Sequence, residues 1–438
     1  MTKTNNIPKE WKWVKFEDLL DYIQPTKYIV ESTDYNDKYK TPVLTAGKSF
    51  IIGYTNENEG IFNSLPVIIF DDFTTANKFV NFPFKVKSSA MKILKPKSKD
   101  VNILFVFYYM QTVKISFDTH KRYWISVFSK LPVPLPPLPV QQAIVSKIEE
   151  LFSELDNGIA QLKTAQQQLK TYRQSVLKWA FEGKLTEEWR LVGMAGFEPT
   201  TSKNKKSRKS INPTNHGLDN KLNAEREGFE PPDLPEGWKW VKSGDLFSFV
   251  TSGSRGWAKY YSNDGAIFIR ITNMDFNTLD LDLRESSIQY VNPPLGSEGI
   301  RTKIQEGDFL FSITGYLGMF AIAPKLDNAF VNQHVCLCRP IDGFNKKYVG
   351  YWIISESGGI HYLNKNKKGA VKAGLNLDDL KSFPVPICSL EEQHQIVQEI
   401  ESRLSVADKL EESISASLQQ AEALRQSILK RAFEGRLI

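Results

Sequence analysis

The sequence is short of the features that mark several large classes of protein. Three cysteines in 438 residues cannot build a disulfide framework and point to a reducing compartment. Apolar residues never run on for the roughly eighteen positions that a membrane helix needs. The opening MTKTNNIPKEWKW has no apolar stretch of the signal-peptide kind. We therefore expect a cytoplasmic chain with no membrane partner. A strong charge of one sign is missing too, with 56 basic against 50 acidic residues. Residues 1–135 hold a surplus of 19 over 13, whereas 388–438 are acidic, 6 against 9. A local surplus of this size is compatible with a polyanion without requiring one.

Catalytic signatures are also absent. There is no GxxxxGK[ST] phosphate loop, no GxSxG, no HExxH and no kinase motif. Asp71-Asp72 lacks the E-x-K partner of a nuclease centre. Asn292-Pro293-Pro294-Leu295 resembles the Asn-Pro-Pro-aromatic motif of amino-methyltransferases, but Leu295 cannot stack on a flipped base. No glycine-rich methyl-donor turn accompanies it, so it reads as a turn. His334, Cys336 and Cys338 alternate onto one face of a strand, but their spacing is not that of a zinc site. They read as packing residues, and we expect no metal or cofactor on this chain.

What is present is a core and a repeat. Hydrophobic residues make up 41% and aromatic residues 12%, enough to fold two or more domains of this length. LPVPLPPLPVQQAIVSKIEE at Leu131–Glu150 returns as FPVPICSLEEQHQIVQEIES at Phe383–Ser402. RQSVLKWAFEGKL at Arg173–Leu185 returns as RQSILKRAFEGRL at Arg425–Leu437, with the same offset of 252. Upstream, IPKEWKWVKFEDLL from Ile7 matches LPEGWKWVKSGDLF from Leu234 at an offset of 227. The chain is a tandem duplication of a variable body followed by a constant helix.

The constant segment carries an apolar seam. Ile144, Ile148, Leu151, Leu155, Leu162, Ala165, Leu169, Tyr172, Val176 and Trp179 step by three and four, interrupted at Gly158. Ile396, Ile400, Ala407, Leu410, Ile414, Ala421, Leu424 and Ile428 keep the phase in the second copy, with breaks at Arg403, Ser417 and Arg431. Gly183 and Gly435 mark the stops. A core helix or a homodimerising coiled coil would show the same pattern; the duplication favours two helices that pair antiparallel with each other.

The fold class expected is mixed α+β: two homologous α/β bodies joined by two long helices in an antiparallel coiled coil. The boundaries are 1–135 for the first body, 136–185 for its helix, 186–233 for a flexible linker without apolar periodicity, 234–387 for the second body and 388–438 for its helix. Strands are expected at Leu65–Phe70, Ala90–Leu94, Ala266–Ile271, Asp308–Ile313 and Ala329–Cys338.

Loops mixing glycine, cations and rings suit phosphate and base-edge contact. In the second body these are Arg255, Trp257, Lys259 and Tyr260, and a basic loop with Lys365, Lys367, Lys368 and Lys372. In the first they are Lys78, Lys85, Lys87, Lys121 and Arg122, with Asn77, His120, Tyr123 and Trp124 alongside. Singly, each is more often plain surface; their recurrence in both bodies strengthens the reading.

These landmarks together resemble the DNA-specificity subunit of type I restriction-modification systems. The carrying features are W-K-W-V at Trp11–Val14 and Trp238–Val241, the Pro-x-Pro run leading to Gln-x-x-Ile-Val at Gln141–Val145 and Gln393–Val397, and the R-Q-S-x-L-K-x-A-F-E-G-[KR]-L helix terminus. The resemblance covers nearly all of the chain except 186–233 and implies that the bodies are target-recognition domains. Each would read one half of a split site in double-stranded DNA, with the helices as spacer. It implies a non-catalytic subunit whose partners are modification subunits, two of them, and a restriction subunit. S-adenosylmethionine, ATP and Mg would then be bound by those partners. Two other readings remain open: a self-contained adenine methyltransferase with a duplicated recognition domain, which would bind S-adenosylmethionine unaided, and a scaffold that does not bind DNA.

Overall fold

The computed structural model describes residues 7–47, 49–115, 122–195, 233–253, 255–294, 296–297, 301–365 and 374–438. It divides into two compact units, residues 1–165 with 413–438 and residues 166–412.

In the first unit the two landmarks of the repeat meet as strands. β1 (Lys12–Lys15) pairs antiparallel with the Pro-x-Pro strand at Pro132–Leu135, Trp13 opposite Pro134. Prolines at alternate positions are tolerated because this ribbon has only two strands, so their missing donors would face outward. β2 (Leu20–Ile23), β3 (Val67–Asp71), β4 (Asn77–Val80) and β5 (Met91–Pro96) form the main sheet in the order β2-β5-β3-β4, all antiparallel. The run VIIF in β3 is apolar throughout because both faces are covered: Ile68 and Phe70 enter one core cluster, Val67 and Ile69 another. α1 (Ile103–Met110) is capped by Asn102, whose side chain accepts from the amides of Leu104 and Phe105. The Pro-x-Pro strand, β6, leads into α2 (Leu138–Phe181).

The second unit repeats this plan. β7 (Lys239–Lys242) pairs antiparallel with a later Pro-x-Pro strand, and β8 (Phe247–Ser252), β9 (Phe309–Ser312), β10 (Phe320–Ile322) and β11 (Val335–Pro340) take the order β8-β11-β9-β10. A helix at Lys346–Ile354 is capped by Asn345 as α1 is by Asn102. The Pro-x-Pro strand of this unit is Pro384–Ile387, followed by a helix at Leu390–Phe433. Even the glutamine of the Gln-x-x-Ile-Val motif has one task in both units. Gln141 accepts from the amide of Asn102 and donates to the Pro136 carbonyl, and Gln393 does the same with Asn345 and Cys388.

Two expectations need correction. The run Ala329–Cys338 is two strands, Ala329–Val331 and β11, because the Asn332 side chain accepts from the His334 amide and turns the chain between them. Residues 187–195, placed in the linker on sequence, form α3 (Glu187–Ala195). Arg190 of α3 ion-pairs with Glu392, a buried carboxylate that also accepts from Trp238 Nε1 and Thr186 Oγ1. The remainder of that linker, 196–232, lies outside the described residues.

The long helices are shared between the units and pack antiparallel in each. In the first, Ile144 and Ile148 near the start of α2 lie in one core with Ile428, Ala432 and Phe433 from the end of the Leu390–Phe433 helix. In the second, Val176, Ala180 and Phe181 lie in one core with Ile396 and Ile400. The seam is less apolar than its pattern. Trp179, Leu410 and Leu424 are exposed, and half-buried Glu411 and Arg425 take the steps of the last two. The charges are satisfied: Arg425 pairs with Asp156 in the first unit, and Arg173 with Asp408 and Glu411, at 2.6 and 2.9 Å, in the second. The first two pairs are equivalent under the 252-residue repeat offset.

Candidate nucleic-acid interface

Each main sheet has one end where loops converge. In the first unit β3 and β4 are joined by residues 72–76, in the second β9 and β10 by 313–319. The residue after β3 is clamped on both sides: the Asp72 amide donates to Ala90 at 3.0 Å, and its carbonyl accepts from Tyr123 at 2.8 Å. Ile313 is held identically, donating to His334 at 3.0 Å and accepting from Leu375 at 3.0 Å. A polar side chain at the strand end ties each turn. Asp71 Oδ1 accepts from the amides of Phe73 and Thr74, and Ser312 Oγ accepts from Met319 while donating to the Tyr316 carbonyl. Left-handed backbone closes the turns, at Thr75 (φ 58°) in one and at Gly315 and Gly318 (φ 76° and 91°) in the other.

The turns hold up a ring. Phe73 is 47% exposed and Tyr316 is 70% exposed. Beside Tyr316, Thr314 Oγ1 lies 2.6 Å from His334 Nδ1, and the Gln333 amide lies 3.0 Å from His334 Nε2. The loop after β8 reaches the same end. A side chain on Gly253 would sit 2.2 Å from the Asn332 carbonyl carbon, so only glycine fits where this loop crosses.

The structure sorts the residues singled out on sequence. Arg255 is exposed two residues beyond Gly253, whose amide donates to the Val335 carbonyl, and Arg122 is exposed immediately before Tyr123, which clamps the first turn. Lys259 is exposed with its ammonium 4.9 Å from the Tyr260 ring centre. Lys78 is half-buried on β4, opposite Ile69, and Lys87 is exposed at the end of a side strand. Lys365 ends the short helix Gly359–Lys365. Lys121, Lys367, Lys368 and Lys372, with His120, lie outside the described residues.

Four of these residues face inward instead. Lys85 is 3% exposed; it ion-pairs with Glu57 at 2.7 Å and donates to the Glu59 carbonyl. Trp257 is 6% exposed and stacks on Phe268, ring centres 5.5 Å apart. Tyr123 and Trp124 are buried, Trp124 against Phe70 and Phe128. Burial of a large ring on a glycine-rich loop is set by what the sheet places beneath it, which local composition does not reveal. Phe73 and Tyr316 escaped sequence reading because DDFTT and TGYLG share no pattern. Their position just past an apolar run that ends in a single polar residue, Asp71 or Ser312, was the available signal.

Groups that could have suggested chemistry have other work. Asp72 Oδ1 accepts from the Trp124 amide, and its carboxylate stands 3.5 Å from the buried Lys92 ammonium. Asn292 donates to the Asp264 carbonyl and to Ser262 Oγ, closing a turn. Cys336 and Cys338 are buried side by side, and burial pushes the Cys338 thiol well up. Among the described residues no group of three or more His, Cys, Asp or Glu side chains could hold a metal ion, and no helix is long and apolar enough to cross a membrane.

A rigid frame built twice, with divergent loops at the same end of each sheet, defines a duplicated recognition protein. The model of the type I restriction modification DNA specificity domain matches residues 8–165 and again 235–420. The chain is 30% identical over 432 residues to the specificity subunit of the type I restriction enzyme EcoR124I/EcoR124II of Escherichia coli, covering 95% of this chain and 91% of that one. It is 29% identical to the EcoBI specificity subunit of Escherichia coli over 70% of this chain and 58% of the other. A chain solved in work on complex assembly and conformational transition of the type I R-M system has the same fold, with a TM-score of 0.66 at 16% identity over 99% of this chain and 100% of that one. This chain belongs to the type I restriction modification DNA specificity domain family and carries two copies of that domain.

Proposed function

We propose that the chain is the specificity subunit of a type I restriction-modification complex, in which each body reads one half of a bipartite site in duplex DNA. The paired helices set the distance between the halves and dock two modification subunits, and a restriction subunit completes the complex. The partners take S-adenosylmethionine, ATP and Mg, and no catalytic step falls to this chain. The observation that carries this reading is the repeated frame with divergent loops: backbone clamps recur residue for residue at Asp72 and Ile313, while the side chains they present differ. A frame held constant beneath variable loops is suited to reading two different sequences.

Replacing residues 10–130 with the corresponding body of another such subunit tests it. Sequencing of methylated motifs in a host that also supplies the modification subunit should show one half-site replaced and the other kept. A chimera that changes both halves, or neither, contradicts independent reading.

A further inference from the structure

We infer that Phe73 and Tyr316 are base-contacting residues, one for each half of the DNA site. The inference rests on the proposed function and deepens it by naming an element that touches bases.

Each ring stands at the tip of the same hairpin in its own unit, after β3 in one and after β9 in the other. Neither hairpin can sag. The residue after the strand is bonded on both sides, a side chain ties the turn internally, and left-handed backbone fixes its direction. An aromatic ring left 47% or 70% exposed on so rigid a support holds apolar surface in water that the described residues of its own unit leave uncovered. A core role is excluded by that exposure. A mobile-loop role is excluded by the clamps.

The surroundings point to the occupant. Arg122 precedes the residue that clamps the first tip, and Arg255 follows the glycine that brings its loop to the strand end in the second unit. Imidazole and amide groups of His334 and Gln333 stand at the base of the second tip. An exposed ring with an exposed arginine on a neighbouring loop, and in the second unit with polar groups at its base, suits a partner with π-faces, polar edges and phosphates, which is a nucleobase in a duplex. Rings on protruding supports contact base edges or wedge at a base step, and such contacts discriminate through stacking and step deformability. The two tips differ in one chemical respect: Tyr316 adds a hydroxyl that can donate to or accept from a base edge, and Phe73 does not.

The test uses the full chain assembled with its modification subunits, carrying Phe73→Ala, Tyr316→Ala or Tyr316→Phe. Binding is measured on duplexes varied one base pair at a time, alongside methylated-motif sequencing. Phe73→Ala should cost about tenfold in discrimination at one or two positions of one half-site and leave the other half unchanged. Tyr316→Ala should do the same in the opposite half, and Tyr316→Phe should lose only the part carried by the hydroxyl. Because both side chains are exposed, melting temperatures should not move. Unchanged discrimination in both alanine variants overturns the inference, as does a uniform loss across all sequences. Absence of a bipartite motif for the unaltered complex would instead refute the proposed function, so the two failures are distinct.

Discussion

Lys85 shows how far a residue's neighbours decide its role. On sequence it is one of three lysines in a short basic stretch, indistinguishable from Lys78 and Lys87. In the fold its ammonium is enclosed with Glu57 and the Glu59 carbonyl. Burial alone would raise the Glu57 carboxyl, but Lys85 and the amides of Ser32 and Glu31 outweigh it, and the group titrates below its ordinary value. A carboxyl depressed in the folded state stabilises it above the unfolded pKa, and that contribution is lost as pH falls through the folded value. Lys85→Met should therefore cost roughly 1–3 kcal/mol near neutrality. It should also remove part of the loss of stability on the acid side of pH ~4.3, both read from urea melts at several pH values. Its effect on the salt dependence of DNA binding should be nil, whereas Arg122→Ala should flatten that slope by about one unit. Trp257 makes the same point with a ring. Gly-Ser-Arg-Gly-Trp looks like a contact loop, yet the tryptophan closes a small core on Phe268 and Phe330.

At the scale of elements much of the structure was legible. The three-and-four periodicity gave both long helices, and Gly183 and Gly435, in left-handed conformation, lie just past their ends. The apolar runs gave the central strands because both of their faces are buried. What periodicity could not give is which seam steps are polar, since Arg425 and Glu411 are accommodated only by specific partners on the facing helix. Those pairs make a length experiment possible. Asp156 and Arg173 lie on either side of Thr164–Gln167, and Asp408 and Arg425 on either side of Ala416–Gln419. Four residues inserted at both places leave each ion pair within its own unit and keep the seam nearly in phase. The insertion adds ~6 Å of helix, so the spacer in the methylated motif should lengthen by about one or two base pairs at ~3.4 Å each. Two residues inserted at the same places rotate the seam away and should abolish assembly. An active four-residue variant with an unchanged spacer would show that the helices do not act as the ruler.

For the whole molecule, the duplication was visible in the sequence, but the division into units was not. Sequence similarity groups each body with the helix that follows it, while burial places Ile428, Leu429, Ala432 and Phe433, from the last turns of the chain, in the core of the first unit. Phe433 meets Phe105 and Tyr109 edge-on, and Gly435 approaches Pro8. The order of synthesis then matters. A ribosome has made the whole first body long before it reaches residue 413, so the nascent N-terminal half waits with an open apolar face for residues 413–438 to emerge. Termination after Glu412 should leave the body nearest the start of the chain, rather than the one nearest the stop, as the casualty. Pulse-chase labelling with brief protease treatment should find residues 7–135 cleaved readily until residues 413–438 have emerged, and cleaved throughout in the shortened chain. Quality control of the first unit is thereby coupled to residues 413–438: a message that breaks off before them yields a chain whose oldest part is the part that cannot close.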